Sequence, residues 1–272
     1  MPKQRALEDR NFDDLAARFQ RNVYGGLKGK IRLAVLQRDF ARHWAQPPFV
    51  PKLPNQKPLR ILDAGGGQGQ FSIQFAQAGH ELVLCDISEE MLKLAKIQAV
   101  SAGVEERVRL VQESIQALSE QQAEQGGAFD LVLCHAVMEW VVDPQALLSA
   151  LTAMVAPGGY LSLTFYNVHA MAYKNLLRGN FAKVQKQDYG GFRGSLTPIN
   201  PLRPDDVHGW MEGLPLQTVC TSGIRVFHDY ILDKALREQN PDQLLELELA
   251  LSQQEPYRAL GRYQHVLAQR LQ

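Results

Sequence analysis

Between residues 59 and 167, short apolar segments alternate with segments whose apolar residues recur at helical spacing. The apolar segments read LRILDAG, HELVLCD, RVRLVQES, FDLVLCHA and APGGYLSLTFYN. Apolar strands separated by amphipathic helices are typical of a parallel sheet, because each crossover places a helix against a face of the sheet. The pattern therefore predicts a doubly wound α/β fold, whose ligands bind beyond the carboxyl ends of the strands.

The segments on either side of this alternation predict additions to the same sheet. Residues 1–58 contain two helical stretches, at about 12–21 and 28–44, and a proline-rich linker at 46–58. We expect them to be a helical N-terminal extension of a single domain, with the core at 59–272. Weak periodicity at about 167–203 indicates an insertion after strand five. The stretches LPLQTVCTSGIRVF and RYQHVLAQRL flank a helical stretch near 229–252 and predict an antiparallel edge, which gives a mostly parallel, seven-stranded sheet.

The turn after the first strand, LDAGGGQGQF, contains the glycines at positions 65, 67 and 69 and is preceded by Asp63. Glycine lets a backbone come close to a ligand. A dinucleotide-binding turn requires Gly or Ala at position 70, where this chain has Gln70, so the turn argues against an NAD oxidoreductase. Asp86 stands at the end of the second strand, where an acid accepts ribose hydroxyls.

Charge is distributed unevenly along a chain whose formal net charge is zero. Residues 1–60 carry 13 basic against 5 acidic residues, and residues 161–203 carry 6 against 1. The segments 61–160 and 204–272 are acidic, with 4 basic against 13 acidic and 6 against 10. Two basic segments around an acidic body predict a positive face for a polyanion; an ordinary solvated charge mixture is the alternative.

Several classes of protein are disfavoured by the sequence. No apolar run approaches the roughly 18 residues of a membrane span, and the start MPKQRALEDRN has no apolar signal core. The three cysteines, at 85, 134 and 220, fit neither a disulfide framework nor a zinc spacing. We expect a cytoplasmic protein with neither a membrane nor a metal partner.

The turn D-x-G-x-G-x-G resembles that of the class I S-adenosylmethionine-dependent methyltransferases, and LVLCHAVMEWVVDP with LLSALTAMVAPGGYLSL resembles their region around strand four. The resemblance implies S-adenosylmethionine as cofactor, with Asp63 near its ammonium group. It places Arg32 over the carboxylate of the cofactor; the alternative for Arg32 is a surface arginine in a basic helix. Glu139 and Trp140 are expected to pack rather than to catalyse. The cofactor-binding residues implied by this resemblance are Arg32, Asp63, Gly65, Gly66, Asp86, Ser114, Ile115 and His135.

The ends of the chain narrow the resemblance further. DRNFDDLAARFQRNVYGGLKGKIRLAVLQRD, FYNVHA with GNF, and GIRVFHDY with QEPYRALGRYQHV resemble the bacterial tRNA 5-carboxymethoxyuridine methyltransferases. The chain departs from that family in a longer segment at 46–58 and in KQDYGGFRGSLTP, which stands where the family has a run of lysines.

The family resemblance implies methyl esterification of the carboxylate of a wobble 5-carboxymethoxyuridine, with the tRNA anticodon loop as partner. Such a carboxylate is ionised at neutral pH, so we expect no catalytic base. Aromatic residues can stack on a displayed base. The candidate substrate residues are Tyr166, Asn167, His169, Arg193, Arg225 and His228.

Two other functions compete with this interpretation. A methyltransferase of quinones or other small metabolites shares the same core, but it predicts a hydrophobic lid and no basic face. An RNA-binding module that has lost methyl transfer is disfavoured by the intact residues Asp63, Gly65, Gly67 and Asp86.

Overall fold

The computed structural model describes residues 8–13, 26–44, 48–53, 55–189, 198 and 200–272. Most of the predicted helix at about 12–21 lies outside the described residues, as does Arg193. The first half of the described chain contains α1 (Gly26–His43), β1 (Arg60–Ala64), α2 (Ile73–Gln77), β2 (Glu81–Cys85), α3 (Glu89–Ser101), β3 (Val108–Val111), α4 (Ile115–Gln125) and β4 (Phe129–His135). The second half contains α5 (Pro144–Met154), β5 (Val155–Tyr166), α6 (Val168–Leu177), α7 (Phe181–Gln185), α8 (Pro204–Glu212), β6 (Leu216–Ile224), α9 (Lys234–Gln239), α10 (Pro241–Leu251) and β7 (Tyr263–Arg270).

The seven strands form one sheet in the order β3-β2-β1-β4-β5-β7-β6. Strands β1 to β5 are parallel, while β7 runs antiparallel to both of its neighbours, β5 and β6. The predicted doubly wound, mostly parallel, seven-stranded sheet is confirmed, with the two late strands β6 and β7 paired antiparallel at one side. The last strand of the chain lies between β5 and β6, so it completes the sheet from inside rather than extending its edge.

Apolar clusters cover both faces of the sheet. Neighbouring residues of a strand point to opposite faces, and accordingly Ile61 packs in the cluster that contains Val35 and Phe40 of α1. Leu62 packs on the other face, in the cluster that contains Leu148 of α5. The helix α1 of the predicted N-terminal extension therefore covers one face of the sheet.

Helix starts follow local capping rules that position the loops at the carboxyl edge. The hydroxyls of Ser88 and Ser114 accept hydrogen bonds from the third residue beyond each, and Asp143 caps α5 before Pro144. Within the described part of the chain, no helix is long and apolar enough to cross a membrane.

Candidate active site

The glycine turn after β1 is held in a conformation that favours glycine. Gly65, Gly67 and Gly69 have φ of +69°, +56° and +73°, in the left-handed region that side chains rarely adopt. The backbone N–H groups of Gly65 and Gly66 donate to the carbonyl of Cys85 at 2.8 and 3.1 Å. The turn is thereby fixed against the end of β2, with its backbone lining a cleft.

Two carboxyl groups lie below and beside this turn. Asp86 accepts hydrogen bonds from the N–H groups of Gly67 and Ser88 at 2.9 and 2.8 Å. Asp63 is buried and accepts from the hydroxyl of Ser72. Burial raises the pKa of Asp63 to about 7; Ser72 opposes the rise and the nearby Asp86 adds to it. Burial also raises the pKa of Asp86. Two neighbouring acids of raised pKa, Asp63 buried and Asp86 half-buried, favour a cationic ligand.

The cleft extends from the glycine turn across the ends of β3 and β4 and contains about 960 Å³ of empty space, including its open mouth. Seven of the eight predicted cofactor residues line it, namely Asp63, Gly65, Gly66, Asp86, Ser114, Ile115 and His135. Trp140, expected to pack, does so against Phe12 and also lines the cleft.

The N-terminal segment 8–13 forms another side of the cleft, which the sequence analysis missed. Asp9, Arg10 and Phe12 line it. Arg10 N donates to the carbonyl of Trp140 at 3.0 Å, and Val142 N donates to the carboxylate of Asp9 at 2.8 Å. The motif DRNF gave a signal for these residues, but only as part of the family resemblance.

Arg32 differs from the other predicted cofactor residues because it lies outside the lining of this cleft, as far as the described chain defines it. Arg32 is 5% exposed, and its guanidinium carbon stands 4.5 Å from the ring centroid of Tyr263. The charge of Arg32 still reaches the cleft, since it contributes to lowering the pKa of His135 after burial and His265. Contact between Arg32 and the cofactor stays a prediction.

Glu139, expected to pack, is fully buried. Its two carboxyl oxygens have no hydrogen-bond partner of good geometry among the described residues. Burial raises the pKa of Glu139 to about 7, although Arg32 acts in the opposite direction. The side chain is therefore largely uncharged below neutral pH.

A second polar group, here called the basic cluster, consists of Lys174, Arg225, Asp229 and Arg262 with the rings of Tyr166 and Tyr263. The carboxylate of Asp229 lies 3.4 Å from Arg225, 3.7 Å from Arg262 and 4.0 Å from Lys174. The guanidinium of Arg262 stands over Tyr166, 4.5 Å from the ring centroid, and Arg225 stands 5.4 Å from that of Tyr263. Three cations thus share one carboxylate.

The pKa values in the basic cluster reflect this excess of positive charge. Burial lowers the pKa of Lys174 to about 8; Asp229 opposes the shift, and Arg262 reinforces it. Burial alone would raise the pKa of Asp229, yet the surrounding cations hold it well below its ordinary value. Arg225 has φ +61°, and its buried Nε has no hydrogen-bond partner in the described chain. The arrangement suits an added anion.

The predicted substrate residues have different positions. Tyr166 and Arg225 belong to the basic cluster, and His228 is buried beside it with Nδ1 3.2 Å from Asp229. His169 is exposed in the first turn of α6. Asn167 is fully buried: its amide donates to the carbonyls of Ala259 and Gly261, and its oxygen accepts from His169 N. These hydrogen bonds give Asn167 a structural role, and its contact with the substrate stays a prediction.

The basic cluster lies at the same edge of the sheet as the cleft. His135 of β4 is in register with Thr164 of β5, and Tyr166 follows two residues later. Two strand residues span about 7 Å. Sequence reasoning missed Lys174, Asp229, Arg262 and Tyr263, because the pairing of Tyr166 with Tyr263 across β5 and β7 brings them together.

The residues of the cleft fit S-adenosylmethionine, which carries an ammonium and a sulfonium. The acids Asp63 and Asp86 offer compensating negative charge. An ionised carboxylate accepts about four hydrogen bonds, so Asp86 retains capacity for ribose hydroxyls beside Gly67 and Ser88. The fold and the cleft define a class I S-adenosylmethionine-dependent methyltransferase.

Comparison with known proteins supports this class and identifies one family within it. A methyltransferase domain family matches residues 55–194. The tRNA 5-carboxymethoxyuridine methyltransferases of Escherichia coli O157:H7 and Escherichia coli strain K12 are 41% identical over 266 residues, covering 98% of this chain and 98% of each relative. The chain belongs to the tRNA 5-carboxymethoxyuridine methyltransferase family, as its sequence motifs predict.

More distant similarities cover the shared core or the fold alone. The ubiquinone biosynthesis O-methyltransferase of Xanthomonas axonopodis pv. citri is 28% identical over 61% of this chain and 65% of its own length. The crystal structure of magnesium protoporphyrin IX methyltransferase from Synechocystis PCC 6803 with bound SAH has a TM-score of 0.59 at 17% identity, covering 95% of this chain and 96% of that chain.

Proposed function

We propose that this enzyme transfers the methyl group of S-adenosylmethionine to the carboxylate of 5-carboxymethoxyuridine at the wobble position of tRNA. The product is the methyl ester, 5-methoxycarbonylmethoxyuridine. The observation that carries the proposal is the 41% identity over 98% of the chain, which includes the segments outside the shared methyltransferase core. Arg225, Asp229 and Arg262 of the basic cluster lie beyond residues 55–194, the part that the methyltransferase domain family matches.

The basic cluster is our candidate for the group that holds the substrate carboxylate. A carboxylate placed among Lys174, Arg225 and Arg262 would gain charge-assisted hydrogen bonds from cations whose acidic partner in the described part of the chain is Asp229. The rings of Tyr166 and Tyr263 provide apolar walls beside these cations. Burial of the cations strengthens the attraction because water screens it less.

The proposed chemistry requires no base on the protein. Bound S-adenosylmethionine supplies a methyl group on a positively charged sulfur. A carboxylate with an ordinary pKa near 4 is already an anion at neutral pH, so the protein has to position its oxygen and exclude water. His135 at the cleft is uncharged at neutral pH, since burial and the nearby His265 and Arg32 hold its pKa well below the ordinary value.

The insertion after β5 supports an RNA partner. Tyr173 of α6 and Phe181 of α7 are 40% and 61% exposed. Arg178, Lys183 and Lys186 are near them in sequence and partly or fully exposed. Exposed rings beside cations bind single-stranded nucleotides by stacking and by charge. We infer that this surface contacts the anticodon loop and that the enzyme acts in the cytoplasm.

The test is methylation of tRNA that carries 5-carboxymethoxyuridine, followed by mass spectrometry of the nucleosides. We expect label from methyl-labelled S-adenosylmethionine to enter this tRNA and to be released by alkali, because it is an ester. tRNA with uridine or 5-hydroxyuridine at the wobble position should take up no label. Alkali-stable label would place the methyl group on a base or a ribose and refute the proposal.

The salt dependence of tRNA binding separates the proposal from a methyltransferase of small metabolites. Each neutralised phosphate contributes about −0.7 to −0.9 to the slope of log affinity against log salt concentration. We expect a slope corresponding to several phosphates. Weak binding with no response to salt would favour the small-molecule alternative.

A further inference from the structure

A buried chain of hydrogen bonds connects helix α1 to the cleft. Asp39 Oδ2 lies 2.7 Å from His265 Nδ1. His265 Nε2 lies 3.0 Å from the hydroxyl of Ser162, which lies 2.8 Å from His135 Nε2. Asp39, Ser162 and His265 are fully buried, and His135 lines the cleft. The chain therefore begins in the core and ends at the candidate active site.

The strand register explains how one hydroxyl meets two imidazoles. His135 of β4 and His265 of β7 are both in register with Thr164 of β5, on opposite sides of that strand. Ser162 lies two residues before Thr164, so its side chain is on the same face of the sheet. The two rings stand perpendicular with their centroids 6.3 Å apart, and Ser162 bridges them.

The carboxylate at the buried end is held in its ionised form. Burial alone would raise the pKa of Asp39, but His265 and Arg38 lower it below the ordinary value. Arg38 and Gln253 both donate to the other oxygen, Oδ1, at 2.6 and 3.1 Å. Cys220 Sγ lies within 4.8 Å of a carboxylate oxygen of Asp39 and a ring nitrogen of His265. Burial raises the pKa of this thiol to about 12. Asp39 is therefore an anion that only accepts hydrogen bonds.

When both imidazoles are neutral, an ionised Asp39 fixes which group donates and which accepts at every hydrogen bond between Asp39 and His135. His265 Nδ1–H donates to Asp39, which leaves His265 Nε2 as an acceptor for the hydroxyl of Ser162. The oxygen of Ser162 then accepts from His135 Nε2–H. A neutral imidazole has one N–H, so His135 Nδ1 is left with a lone pair, and it makes no hydrogen bond within the described chain.

We propose that Asp39, His265 and Ser162 are positioning residues that fix the tautomer of His135, so that its Nδ1 accepts a hydrogen bond from the ammonium group of the bound cofactor. This inference rests on the proposed function, because it takes S-adenosylmethionine as the ligand of the cleft. An acceptor at Nδ1 attracts an N–H donor, whereas the opposite tautomer would present an N–H to a cation. Loss of the correct tautomer removes one hydrogen bond to a charged group, roughly a tenfold loss in affinity.

Asp39→Asn tests the direction of the chain. The asparagine amide can donate to His265 Nδ1, which allows His265 to donate from Nε2 to Ser162 and Ser162 to donate to His135. We expect ¹H–¹⁵N spectra of the ring nitrogens to show His135 protonated at Nε2 in the wild-type protein and at Nδ1 in Asp39→Asn. The His135 signals are assigned by their absence in His135→Gln. Gln253→Ala is the matched control, since it removes a hydrogen bond to Asp39 outside the chain.

Calorimetry with S-adenosylmethionine provides the second readout. We expect a roughly tenfold loss of affinity in Asp39→Asn and near wild-type affinity in Gln253→Ala. An unchanged tautomer in Asp39→Asn overturns the proposal, as does a wild-type His135 protonated at Nδ1. A reversed tautomer with unchanged affinity also overturns it. Failure of the wild-type protein to bind S-adenosylmethionine would refute the proposed function, while the spectra of the free protein would still decide whether Asp39 sets the tautomer.

Discussion

Substituting alanine for Gly66 tests whether the glycine turn is built for close approach of the cofactor. The φ angle of Gly66 is outside the left-handed region, so alanine adds no backbone strain there. The added Cβ would lie 2.5 Å from Asp63 Cγ, 2.6 Å from Asp63 Oδ2 and 2.9 Å from Leu84 Cγ. Non-bonded carbons pack at about 3.5–4.0 Å, so the overlap with Asp63 is about 1 Å.

Neither Asp63 nor Leu84 can move easily to make room for the added methyl group. Asp63 is held by Ser72, and Leu84 is fully buried in a cluster with Leu92 and Ala95. Forcing a methyl group into such packing costs about 1–3 kcal/mol. Relief requires a shift of the turn or of Asp63 by about 1 Å, which displaces groups that face the cofactor. We expect S-adenosylmethionine to bind at least tenfold more weakly, about 1.4 kcal/mol.

Isothermal calorimetry measures this loss, and thermal unfolding shows that the variant is folded at the assay temperature. Gly209→Ala is the control, because this glycine of α8 has nothing within 4 Å of the position of its added Cβ. It should leave cofactor affinity unchanged and stabilise the helix slightly. Affinity of Gly66→Ala within twofold of wild type would refute the argument from crowding.

Three further predictions concern the titrating groups and the basic cluster. Because the pKa of Asp63 is about 7 and a cationic ligand favours its ionised form, affinity for S-adenosylmethionine should fall about tenfold from pH 8 to pH 6; calorimetry should show no such fall in Asp63→Asn. Burial raises the pKa of Glu139 from 4.5 to about 7. Ionisation of Glu139 therefore lowers the free energy of unfolding as the pH rises through that range. Glu139→Gln should therefore raise the midpoint of thermal unfolding at pH 8 and change it little at pH 4; an equal change at both values would contradict this origin. Arg262→Gln should reduce kcat/KM for tRNA roughly 10- to 100-fold through loss of a charge-assisted hydrogen bond, with Arg262→Lys less affected; a parallel loss of cofactor affinity would show that Arg262 serves the cleft instead.

The lining of the cleft was predictable because its residues follow from local rules. Asp63, Asp86 and His135 each stand at the end of a parallel strand, and such ends share one edge of the sheet. The predicted residues Ser114 and Ile115 line the same cleft. Helix α8, which begins directly after the predicted insertion, was missed, although Pro204 at its first turn and two acids after it are helix-start signals.

The basic cluster and the hydrogen bonds that connect Asp39 to His135 could not be predicted in the same way. Arg262 meets Tyr166 because β7 pairs with β5, about 100 residues earlier in the chain. Asp39 meets His265 because α1 packs over that pairing. Such contacts depend on strand order, which periodicity does not specify. The sequence indicated two late strands, but not that the last one lies between β5 and β6.

The position of β7 inside the sheet has a consequence for how the enzyme is made. Synthesis proceeds from the N-terminus, and earlier parts of a chain begin to fold first. The strands that end at or beside Asp63, Asp86 and His135 are complete by residue 135, whereas Arg262 and His265 follow about 130 residues later. While the ribosome is still adding those residues, the gap beside β5 has no partner strand. A nascent chain can therefore hold the residues of the cleft before it has those of the basic cluster, and on the roles proposed for them methylation must await β7.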